Sequence, residues 1–349
     1  MASSADAPRI RRRIGVWLAA WSVMLLLTVL IGGLTRLTDA GLSITEWRPV
    51  AGVIPPFSQD AWDAEFARYQ AIPEYRQVYP DMTLDGFKRI YLWEYGHRLW
   101  ARLVGLAFAV PLLVFLARGW LQPPYRSRLV LLLALTGAQG AMGWYMVKSG
   151  LAVRTDVSQY RLAAHLALAL VIYAITVWTA SELLAGAPER GPGGSRVRAG
   201  AAALTALAFV TAISGAFVAG LDAGKAYNTF PLMGGRLVPA GYAQLDPWYR
   251  NLFEHVPAVQ FNHRLLGTVL VLAAVFLWGY ARRVALPPRA RRLAGALPLV
   301  VLAQAGLGIT TLLLGVPVAV AVVHQGGAVL VLTTALLLTQ SLAPPRISG

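Results

Sequence analysis

Five histidines occur in a chain of 349 residues. Four of them, His97, His165, His263 and His324, each lie near the same end of a long apolar stretch. Imidazole is the commonest metal-ligating side chain and works near neutral pH. Ionisable groups inside a membrane mark functional positions by default. Two of the four carry a signature: His97 is followed by Arg98 and His263 by Arg264. Three residues ahead stand Glu94 in the first case and Gln260 in the second. The fifth, His255, has no counterpart and falls in an irregular loop, where it is expected at the surface.

The elements that must position these groups are membrane helices. Hydrophobic residues make up 57% of the chain and charged residues 13%, against about 25% charged in ordinary globular chains. Eight blocks are long and apolar enough to cross a bilayer: 14–35, 91–117, 127–148, 160–182, 197–220, 261–281, 292–315 and 317–341. Membrane barrel strands would be shorter and alternating. The fold class is therefore an all-α polytopic membrane protein. Basic residues concentrate at the N-terminal tail, the 2–3, 4–5 and 6–7 connections and the C-terminal tail. The net charge of +15 thus reads as a topology signal. It places both termini in the cytoplasm; the first span, too long for a signal sequence and lacking a small-residue cleavage site, is expected to be retained. Basic residues at helix ends form no compact patch, so no nucleic-acid partner is expected.

The spans repeat as two tandem four-helix units. Gly32 and Asp39-Ala40-Gly41 recur 183 positions later as Gly215 and Asp222-Ala223-Gly224. His97-Arg98 recurs as His263-Arg264. Ala138-Gln139 with Gly143 recurs as Ala303-Gln304 with Gly308, and His165 as His324. An even number of spans per unit keeps both copies in one orientation, related by a pseudo-two-fold axis along the membrane normal. The expected division is an N-terminal half over 1–185, a cytoplasmic linker over 186–199 and a C-terminal half over 200–349. The first half carries an additional outer cap of about 50–88, too aromatic for disorder.

Each unit brings two histidines to similar depth near the outer, periplasmic face. Zinc takes four protein ligands, or three and water, and copper would want sulfur ligands that are not evident. The chain has no cysteine, which excludes disulfides, thiolate metal sites, iron–sulfur clusters and thioether-linked haem. Haem iron needs two axial ligands and an apolar slot between helices. One haem per half, on His97/His165 and His263/His324, accounts for the pattern. Arg98 and Arg264 suit propionate pairing through their bidentate guanidinium groups, and equally suit snorkelling to the membrane interface. The halves differ at Glu94 and Gln260. On a helix Glu94 shares the face of His97, where a carboxylate can act as base or stabilise positive charge.

Gly32-Gly33-Leu34-Thr35-Arg36-Leu37-Thr38, Asp39-Ala40-Gly41-Leu42-Ser43, Glu46-Trp47, Pro49 with Gly52-x-Ile54-Pro55-Pro56, and Glu94-Tyr95-x-His97-Arg98 resemble the haem A synthase family. The resemblance covers the whole chain. It implies an enzyme that oxidises the C8 methyl of haem O to the formyl group of haem A by successive hydroxylations. His97, His165 and Glu94 would be its substrate site, and His263 and His324 its haem b relay. Gram-positive-type members carry a cysteine pair in an outer loop. Its absence here is similar to the alphaproteobacterial and mitochondrial branch. The implied partners are haem O synthase, an unidentified electron-transfer protein, cytochrome oxidase assembly and membrane lipid, in a bacterial inner membrane. A homo-oligomer is compatible with the sequence. The rival reading is a dihaem b-type electron-transfer cytochrome that leaves both haems unmodified.

Overall fold

A computed structural model describes residues 7–48, 51–152, 154–185 and 194–343. Eight of its helices are long and apolar enough to span a membrane: α1 (Ala7–Leu37), α4 (Leu84–Ala117), α5 (Pro123–Val147), α6 (Gln159–Ala185), α7 (Gly194–Gly220), α9 (Val256–Ala281), α10 (Pro288–Leu313) and α11 (Val318–Ser341). Three short helices lie outside the spans: α2 (Gln59–Gln70), α3 (Pro73–Gln77) and α8 (Asn251–Glu254). The chain is a multi-pass helical membrane protein. Large apolar side chains left on its perimeter, among them Leu106, Leu113, Leu272, Phe276 and Leu299, suit a hydrocarbon surround.

All eight expected spans are present, and most run further than their apolar cores. Backbone hydrogen bonding continues past the last apolar residue wherever a start signal allows. Prolines open α5, α9 and α10 in the first turn, and the Thr83 hydroxyl caps α4 by accepting from the Gly86 amide; proline's missing N–H costs nothing there. Helix α7 begins at Gly194, inside the expected linker. Residues 186–193 lie outside the described residues, as do Pro49 and Val50 at the start of the expected cap.

Pro111 sits inside α4, where its ring cannot donate to the carbonyl of Ala107. The indole of Trp17 on α1 donates to that carbonyl at 2.9 Å, and Trp21 donates to Val104 O at 3.0 Å. Both indoles pack on Phe108. The gap left by proline thereby becomes a joint between helices.

Helix α1 packs on α4 and α6, and α5 on α6. In the second half α7 packs on α9 and α11, and α10 on α11. The halves meet through α1 against α11, α6 against α7, and α6 against α11. Each cross-contact maps onto its own repeat equivalent, a pattern consistent with the expected two-fold relation. At the α1–α11 seam Gly33 lies directly against the Gln325 side chain, whose amide donates to Val29 O.

The cap of the first half is folded. Tyr69 and Phe87 are fully buried among Trp62, Phe66, Tyr75 and Tyr91. The ends of α4 and α5 supply the floor, so the aromatic residues form a small core of their own. At the same end of the bundle the Arg36 guanidinium pairs with Asp39 and Asp222, both at 3.1 Å, and with Asp156 at 3.6 Å. It also donates to Ala219 O.

Candidate functional site

The four histidines fall near the cap end of α4, α6, α9 and α11, and each faces a glycine on a neighbouring helix. A methyl group added at Gly32 would lie 3.3 Å from His97, at Gly143 3.1 Å from His165, at Gly215 3.2 Å from His263 and at Gly308 2.8 Å from His324. Glycine is needed here for approach, since the imidazole fills the volume a Cβ would take. The two glycine–histidine pairs of the first half are the repeat equivalents of the two in the second.

In the second half the His263 and His324 rings stand 6.5 Å apart between centroids, with planes at 87°. A metal–imidazole bond is about 2 Å, with the ring centre about 1 Å beyond, so one central ion sets two coaxial rings about 6 Å apart. The observed spacing fits a single ion between two imidazoles. Among the described residues no cluster of three or more histidines and acids could hold an ion without help. A group that brings its own equatorial ligands, as haem does, matches this donor set. The Arg264 Nε, buried and without a partner, offers an anion-seeking donor beside it.

Three imidazoles have polar partners at Nδ1. Gln139 Nε2 lies 3.2 Å from His165 Nδ1 and donates to His165 O; Gln304 Nε2 lies 3.0 Å from His324 Nδ1 and donates to His324 O. Ser214 Oγ lies 2.7 Å from His263 Nδ1. Among the described residues nothing hydrogen-bonds to the His97 ring.

One turn ahead of His97, the Glu94 carboxylate is buried and fully used. Its Oε2 accepts from the Ser43 hydroxyl at 2.7 Å and the Ile44 amide at 2.8 Å; its Oε1 accepts from Arg98 Nη2 at 2.6 Å and Nε at 3.0 Å. Arg98 further donates to the carbonyls of Ile44 and Glu46. In the second half Arg264 donates to the carbonyls of Tyr227 and Thr229, which are Ile44 and Glu46 shifted by the repeat offset of 183. Gln260 Nε2 donates to Tyr227 O, and its Oε1 is buried without a partner. Each arginine therefore straps the loop after the first helix of its unit down onto the histidine helix. This clamp was not visible from sequence, because its acceptors are main-chain carbonyls.

His255 departs from the surface position expected of it. It precedes α9 as a half-buried residue whose Nδ1 is enclosed without a partner. Outside the spans, burial pushes the Glu74 carboxyl of the cap up to about 8, with the neighbouring Asp39 and Asp156 carboxylates adding to it and the Tyr69 hydroxyl opposing. Burial likewise lifts Tyr79 to about 12, helped by Asp39, which accepts its hydroxyl proton at 3.1 Å.

Residues 15–336 match the family described as cytochrome oxidase assembly protein, COX15-CtaA. The chain belongs to that family. It is 45% identical to the haem A synthase of Nitrosomonas eutropha across 95% of this chain and 94% of that protein. It is 47% identical to the haem A synthase of Rhodospirillum centenum across 98% and 90%, and 45% identical to human haem A synthase COX15 across 95% and 83%. This cytochrome oxidase assembly family member carries the duplicated histidines and the unduplicated Glu94 within the matched region.

Proposed function

We propose that this chain is a haem A synthase, oxidising the C8 methyl of haem O to a formyl group. The N-terminal half, 1–185, holds the substrate between His97 and His165. The C-terminal half, 200–349, holds haem b between His263 and His324. The observation that carries the reading is the duplicated set of glycine-backed imidazoles with a buried carboxylate in only one copy. The relatives' shared name agrees with it.

Converting a methyl group and one water to a formyl group releases four electrons and four protons, the water supplying the oxygen and a separate electron-transfer protein taking the electrons. Haem b, when bound, supplies a one-electron relay. The protein's own residues do the rest. His97 on α4 and His165 on α6 would hold the iron of the substrate. Glu94 brings fixed negative charge one turn from His97, held by four donors, so it stabilises positive charge on the substrate without reorganising. Service as a proton acceptor requires one of those donors to leave. Arg264 Nε is a free donor for a propionate, and Arg98, whose Nε is taken by Glu94, keeps one hydrogen on Nη1 beyond the one given to Glu46 O.

The basic-residue bias supports an inner-membrane orientation with cytoplasmic termini and both sites towards the periplasmic face. Haem O synthase would deliver substrate through the bilayer, and a separate electron-transfer protein would drain the electrons.

The test is pigment analysis of the full chain, purified from a host that makes haem O but no haem A. Haem A should appear with the wild type, and His97→Ala should leave haem O unconverted. Two unmodified haems b, with no formyl product, would overturn the proposal and favour the electron-transfer cytochrome.

A further inference from the structure

The two haem ligands that follow the first helix of each repeat, His97 and His263, are equivalent by sequence and unequal in their surroundings. Ser214 on α7 precedes the glycine that faces His263. Its hydroxyl lies 2.7 Å from Thr211 O and 2.7 Å from His263 Nδ1. A hydroxyl has one hydrogen. Directing it at the ring would leave two lone pairs facing each other across the short contact to the carbonyl. The hydrogen therefore goes to Thr211 O, and Ser214 Oγ accepts from Nδ1–H. That fixes the tautomer and leaves the Nε2 lone pair of His263 open for a metal.

In the first half the residue before the facing glycine is Ile31, which offers His97 nothing. The rings record the difference. His165, His263 and His324 all turn Cε1 to their glycine, with Nδ1 and Nε2 nearly equidistant from it, and all three have a polar partner at Nδ1. His97, without one, presents its Nε2–Cε1 edge instead, 3.3 and 3.4 Å from where a methyl on Gly32 would lie.

We propose that Ser214 is a positioning residue that makes the C-terminal haem a permanent fixture, while Ile31 leaves His97 a weaker ligand so that the N-terminal porphyrin can enter and leave. A hydrogen bond from the distal ring nitrogen orients an imidazole and raises its basicity as a ligand. A resident cofactor gains from that bond. A substrate that must depart as product is better served without it. The inference rests on the two-site reading given above and adds what distinguishes the sites.

The test uses the full-length holoprotein, with excess apomyoglobin as haem acceptor and a redox titration of the C-terminal haem. Ser214→Ala should speed haem loss from the second half about 10- to 100-fold. It should also shift the midpoint potential upward, since a less basic ligand stabilises ferric iron less. Ser214→Thr should restore both. Ile31→Ser should slow release from the first half by a similar factor, and it keeps the idea testable if Ser214→Ala folds poorly. Unchanged loss rates and potential in folded Ser214→Ala, or unchanged release in Ile31→Ser, would overturn the proposal. If wild type and His263→Ala carry equal haem in the second half, the two-site reading itself fails, whatever Ser214 does.

Discussion

The two outer clamps are built from the same arginine on the same pair of carbonyls, yet their centres have opposite polarity. In the first half Ile44 presents its N–H and Glu94 accepts it. In the second, Tyr227 presents its C=O and Gln260 donates to it. The acidic version leaves no carboxylate oxygen idle, whereas the amide version strands Gln260 Oε1. Buried groups without partners each cost about 1–3 kcal/mol. The duplicated strap is thus better satisfied in the half with the carboxylate, so the Glu94 carboxylate is part of the structure of that half.

The sharpest way to break this comparison is to remove one ligand at a time. His97→Ala should reduce haem A formation to background while the C-terminal haem spectrum persists. His263→Ala should bleach that spectrum and stop turnover through loss of the electron outlet. Pigment extraction and optical spectra of the same preparations read both.

Exchanging the polar centres comes next. Glu94→Gln places an amide hydrogen against either the Ile44 N–H or Arg98, and it removes the charge beside His97. Turnover should fall about 100-fold, the scale of losing one fixed electrostatic contact. Gln260→Glu sets a carboxylate against Tyr227 O and should lower thermal stability by about 1–3 kcal/mol without creating a second active half. If either exchange is silent in both turnover and melting, the opposed-polarity account is wrong.

The glycines offer a graded series. Alanine should hurt haem retention most at Gly308, then Gly143, Gly215 and Gly32, following gaps of 2.8, 3.1, 3.2 and 3.3 Å. Overpacking of this kind costs about 1–3 kcal/mol, or roughly tenfold in affinity at the low end. Haem titration of the four variants checks the order.

The smallest effect concerns the cap, which the second half lacks. Glu74 is raised from an ordinary 4.5 to about 8, so the unfolded cap releases its proton first as pH rises. Its contribution to cap stability is complete below about 4.5 and is lost as pH climbs through about 8. Protease protection of the segment around α2 and α3 should weaken across that window, and Glu74→Gln should flatten the dependence.

The spans, the duplication and the four histidines that face glycines were legible because hydropathy and repeat spacing are written in side-chain types. Glu94 stood out for the same reason, as a charge where its copy has none. Ser214 did not, since a lone serine in an apolar helix looks like ordinary small-residue packing until its distance to His263 is known. The arginine clamps were hidden because their partners are peptide carbonyls, which every sequence supplies at every position. His255 read as a surface loop residue because it has no repeat counterpart, and Pro257, which marks the start of α9, says nothing of what packs against the residue before the helix.

Arg36 has Ala219 as its repeat counterpart, and its guanidinium donates to the carbonyl of that very residue while holding Asp39 and the copied Asp222. A symmetric pair of identical subunits would have to place either two such cations or none where their ends converge, and two would repel. Joining the units in one polypeptide lifts that restriction. One guanidinium can then reach the acid of each half, with Lys225 pairing the far side of Asp222 at 3.0 Å, an unequal arrangement that a fused chain allows and strict two-fold symmetry does not.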